Sequence, residues 1–109
     1  AANKSVLKVS IIQNIDRQLA LDDIASSKGI SYEDILKEVE TIVSSGTRLN
    51  LNYYIDELID EDRQEEVFDY FRSAEVDSID EALNELGGED YTREEIQLMR
   101  IKFLSELGN

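Results

Sequence analysis

The chain has 109 residues, 41% of them apolar, which suits one domain with a modest core. Eleven basic residues against 25 acidic ones give a net charge of −14, and a polyanion repels phosphate backbones and anionic membrane surfaces. With no Cys and no His, disulfides, thiolate metal sites, the usual zinc ligand and any Ser–His or Cys–His nucleophile are excluded.

Proline is absent and the five glycines, Gly29, Gly46, Gly87, Gly88 and Gly108, fall at punctuation points, so the expected fold class is all-α. Residues 1–4 read as a loose end. The first helix is expected from about Ser5 to Leu19, with Val6, Leu7, Ile11, Ile12, Ile15 and Leu19 on one side. A short second helix follows over Leu21–Lys28, ended by Gly29 in the left-handed region. Ser31 caps a third helix, which runs to about Ser45 with Ile35, Leu36, Val39, Ile42 and Val43 inward.

Together these form a helix-turn-helix at 21–46. In "TRLNLN", Leu49 and Leu51 alternate with polar neighbours, the pattern of a short extended piece, and Asn52 is placed to cap a helix starting at Tyr53. A further helix is expected near Asp62, with Val67, Phe68, Tyr70 and Phe71 packing. Ser78–Glu81 and Thr92–Glu95 are capping boxes. The first opens a short helix closed by Gly87 and Gly88. The second opens a last helix over 93–107, with Ile96, Met99, Phe103 and Leu107 as its stripe. The whole reads as a single helical domain, 1–109.

Charge is uneven along this domain. Residues 53–74 hold eight acids and two bases, and residues 75–92 hold seven acids and no base. The helix-turn-helix lies in the nearly neutral front part. Its third helix still presents Tyr32, Glu33, Asp34, Lys37, Glu38 and Thr41 outward, a net −2. Duplex affinity depends on Lys and Arg neutralising phosphates, so this is a poor reading surface. The candidate nucleic-acid contacts are Arg17, Lys28, Lys37 and Arg48.

The other motifs have plainer readings. From Asp60 the acids have partial calcium-loop spacing, but the sixth position is Glu65 rather than glycine, so a solvated helix face is expected. No GxxxxGK[ST] loop occurs, and Gly87–Gly88 precede Glu and Asp. The aromatic residues sit mostly in the acidic half and read as core. No catalytic, cofactor or metal residue is expected, and no apolar run has the length of a membrane span, so the cytoplasm is the expected location.

"VETIVSSGTRLNLNYYIDE" (39–57) and "LMRIKFLSELGN" (98–109) resemble the C-terminal region of RecQ-type ATP-dependent DNA helicases of the Bacteroides group. The resemblance covers nearly the whole chain. It implies a parent enzyme that uses ATP and Mg²⁺ to unwind DNA 3′ to 5′ in recombination and repair. The motor's catalytic motifs are absent from this sequence, so the resemblance carries over only the helix-turn-helix. It implies a non-catalytic accessory domain whose partner is DNA, reached through the parent helicase. The alternative is an acidic module that docks on a basic protein or on the helicase motor.

Overall fold

The computed structural model describes residues 4–107, and Gly108 and residues 1–3 of the expected loose end lie outside them. Among the described residues the chain forms seven α-helices and no strand. They are α1 (Lys4–Asp16), α2 (Leu21–Lys28), α3 (Tyr32–Ser44), α4 (Asn52–Leu58), α5 (Glu61–Ser73), α6 (Ile79–Leu86) and α7 (Arg93–Leu107). The all-α class expected from the sequence is the one observed.

The first three helices stop in the same way. After α1, Gln18 takes φ 63°, and its N–H and that of Leu19 donate back to Ile15 and Asn14. Gly29 (φ 70°) and Gly46 (φ 103°) close α2 and α3 with the same pair of reverse bonds. These are Schellman motifs, which satisfy carbonyls at the helix end through one left-handed residue. At Gly29 an added Cβ would meet nothing within 4 Å, so the positive φ, not space, is what favours glycine there.

The first of these stops corrects the expected α1. It ends at Asp16, not Leu19, because the left-handed residue is a glutamine that punctuation by glycine could not reveal. Leu19 is consequently 42% exposed, and Val6, at the other end of the stripe, is 64% exposed. Asn52 does not cap α4 but begins it, and Asn50 Oδ1 accepts from its N–H at 3.0 Å instead. Asp60 caps α5, accepting from the N–H of Arg63. Thr92 and Glu95 form a full reciprocal capping box at 3.1 and 2.9 Å. At Ser78 the hydroxyl accepts from Glu81 N–H at 3.2 Å.

The last helix is the centre of the molecule. α7 packs against α3, α5, α6 and α4, while α1, α2 and α3 pack on one another. It lies beside α3 in parallel orientation. Tyr32 feels the charge of Glu94, Glu40 pairs with Arg100 at 2.6 Å, and Arg48 reaches the α7 carbonyls of Ser105 and Glu106. Ile96, Leu98, Met99 and Ile101 are all buried, so α7 has more than the single expected stripe, and Leu107, expected inside, is 59% exposed. A helix covered on several sides cannot keep one narrow apolar face.

Two polar devices fasten α7 to the rest. The Ser105 hydroxyl accepts from the Leu49 N–H at 3.0 Å and donates to the Leu49 carbonyl at 3.1 Å. It thereby stands in for the strand partner that the 47–52 segment lacks, with Leu49 and Leu51 turned into the core. Arg63 of α5 pairs with Asp60 at 2.6 Å and Glu95 at 3.0 Å, and donates to the Asp90 carbonyl at 2.6 Å. Its guanidinium also lies 5.4 Å from the Tyr91 ring centroid.

Hydrogen bonds from Arg63 hold the Asp60 carboxyl below the usual carboxylate range. At Glu95 burial pushes the carboxyl up, but hydrogen bonds from Arg63 and the Thr92 backbone outweigh it and the net shift is downward.

Ser105→Ala leaves both Leu49 backbone groups without their buried partner and is expected to cost about 2 kcal/mol in a urea melt. Ser105→Thr, which keeps the hydroxyl, is expected to cost less. Depressed carboxyl pKa values stabilise the fold above the unfolded value of about 4.3 and stop doing so as pH falls through the folded value. Glu95→Gln is therefore expected to lower Tm at pH 7. It should also lose less Tm than the parent between about pH 4.5 and pH 2.5, as followed by circular dichroism.

Candidate nucleic-acid interface

Every element of a helix-turn-helix is present. α2 ends at Gly29, the N–H of Ile30 returns to Ala25, and Ser31 Oγ accepts from the N–H of Asp34 at 3.0 Å to start α3. Leu21, Ile24 and Ala25 face Ile35, Leu36, Val39, Ile42 and Val43 in the shared core.

What α3 leaves outside is a strip formed by Glu33, Asp34, Lys37, Thr41, Ser44 and Ser45. It carries two acids and one base, and that base is already paired with Glu33 at 3.4 Å. Tyr32, expected in this strip, is half-buried because its hydroxyl bonds that of Tyr54 at 2.8 Å. Burial raises the Tyr32 phenol pKa, and burial pushes that of the neighbouring Tyr53 up to about 12. Glu38 is half-buried as well. The far flank of α3 is closed by the Glu40–Arg100 pair and α7 behind it.

The four candidate contact residues have separate surroundings. Arg17 is exposed in the turn after α1 and has no ion pair among the described residues. Lys28 donates to the Ser10 hydroxyl of α1. Lys37 is two-thirds exposed beside Glu33. Arg48 is turned to the carboxyl end of α7, where its guanidinium donates to the carbonyls of Ser105 and Glu106 at the negative end of the helix dipole. Sequence spacing gave no sign of that role, because Arg48 and Ser105 meet only through the fold.

Among the described residues no group of three or more acids is arranged to hold a metal ion, and no helix is long and apolar enough to cross a membrane.

Residues 5–55 match the family model described as RecQ-1-like, helix-turn-helix domain. That segment is similar to RecQ-type helix-turn-helix domains. The match takes in α1 to α3 and enters α4, and it stops short of α5, α6 and α7. No curated protein matches the chain.

If the strip's charge is what limits DNA contact, changing it should change affinity without disturbing the fold. Glu33→Lys with Thr41→Lys is expected to raise duplex affinity in fluorescence anisotropy. The salt slope should steepen by up to about one unit per added phosphate contact. Both sites are exposed, so the cost should stay near 0.5 kcal/mol each, with roughly a few tenths more at Glu33 from the helix dipole. Ile35→Asp, which buries an unpaired charge, is expected to unfold the domain.

Proposed function

We propose that this chain, with its RecQ-1-like helix-turn-helix segment, is a non-catalytic C-terminal accessory domain of a RecQ-type ATP-dependent 3′–5′ DNA helicase. Its contact with DNA is weak, and it serves recombination and repair in the cytoplasm through the parent enzyme. The observation that carries this reading is the outward strip of α3. A segment of RecQ helix-turn-helix type presents two acids and one paired base where an independent DNA reader needs free cations.

The arrangement fits a helix-turn-helix used as a scaffold. α3 is packed by α2 on one flank and α7 on another, and the cations that would touch phosphate serve internal contacts at Lys28 and Arg48. In this reading the motor supplies the DNA affinity, since a multi-domain enzyme needs only one strongly cationic surface to stay on its track. ATP and Mg²⁺ belong to that motor. The sequence has no phosphate loop to hold them here.

The test compares the full-length helicase with a version lacking this region. DNA-stimulated ATP hydrolysis is expected to persist on deletion, because the catalytic groups lie in the motor, while unwinding of forked duplexes changes in rate or extent. The isolated chain is expected to show no submicromolar duplex or single-strand binding at about 50 mM salt. Loss of ATP hydrolysis on deletion, or tight binding by the chain alone, would count against the accessory reading.

A further inference from the structure

Several acids of the back half and of α3 have a basic partner. Asp60 and Glu95 share Arg63, Glu40 and Asp77 share Arg100, Asp80 holds Arg93, and Asp69 holds Arg72. One concave place is lined by acids with no base among its walls. Between α5 and α6 lies a groove of about 660 Å³ whose walls include Tyr70, Ala74, Glu75, Val76, Glu81 and Glu85. None of its three glutamates has a basic partner among the described residues. Glu81 and Glu85 stand one turn apart on α6, where like charges repel.

The lining of this groove is mixed, with apolar surface at Tyr70, Ala74 and Val76 among polar walls. Val76 is 53% exposed in the α5–α6 connection, and Tyr70 is half-buried with its ring against Phe71. Burial raises the Tyr70 phenol pKa, and the nearby charges of Glu81 and Glu85 push it the same way. An aromatic face beside two carboxylates attracts a cation twice, through the ring quadrupole and through charge. Val76 and Ala74 offer nonpolar contact next to it. Phosphate and anionic lipid are repelled here.

We propose that the α5–α6 groove binds a lysine- or arginine-bearing protein segment. A cationic side chain lies on Tyr70 between Glu81 and Glu85, and an apolar neighbour covers Val76 and Ala74. This gives a place to the acidic docking module that the charge distribution suggests, and it does not rest on the helicase reading. α5 and α6 lie outside the matched helix-turn-helix segment.

The test uses the full chain and a short fluorescein-labelled peptide that alternates lysine and alanine around a central leucine. Saturable binding is expected at about 50 mM salt, weakening as salt rises. Glu81→Gln with Glu85→Gln is expected to weaken it about tenfold, and Val76→Ser to weaken it by a smaller factor. Glu61→Gln with Glu65→Gln removes equal charge from another face of α5 and should change affinity less than about twofold. Amide shifts of the unmutated chain on peptide addition should centre on Tyr70, Val76, Glu81 and Glu85. No binding by the parent chain, equal loss from both glutamate pairs, or shifts centred on α2 and α3 would overturn the proposal.

Discussion

The fold depends on the burial of α7. The helices of the described residues are of modest length and have little stability singly, and helices this short hold only through packed apolar faces. α7 gives four neighbours, α3, α4, α5 and α6, a common surface through Ile96, Leu98, Met99 and Ile101. Its parallel seat on α3 joins the helix-turn-helix to the acidic helices, so that the core is continuous from Ile11 to Ile101. Without that seat the front and back of the chain would each have an uncovered apolar side.

The scarcity of cations shapes the rest. The arginines of the back half work in local or inter-element pairs. Arg100 ties α3, α7 and the α5–α6 connection together, and Arg63 ties α5 to the start of α7. Internal pairing of this kind removes positive charge from the outer surface while leaving the surplus acids there. The acidic helix in a DNA-reading shape is thus part of a wider allocation, in which basic groups hold helices together. An Arg so placed is fixed by directional bonds as well as charge, which a Lys could not reproduce at a branched contact.

Much of this was legible in the sequence. The inward residues of α2 and α3 followed from spacing alone, as did the turn at Gly29 and the caps at Ser31, Ser78 and Thr92, because each depends on neighbours within a few positions. The end of α1 was not legible, since Gln18 adopts a conformation its residue type rarely signals. Nor was the part played by Arg48, Glu40 or Ser105, whose partners lie about sixty positions away or close to it. The candidate contact residues were chosen by charge, and charge alone does not say whether a cation faces solvent or a helix end.

The pairing of Ser105 with Leu49 has a consequence for the order in which the molecule can form. α1 to α3 contact one another over short loops and can associate quickly, whereas the seat of α7 requires closing a loop of more than fifty residues. On a ribosome, α3 is made first and its second flank stays bare until the last helix has emerged. During that interval an apolar surface is on view that the finished molecule hides. The high surface charge, by keeping unfinished chains apart, gives the late helix time to arrive.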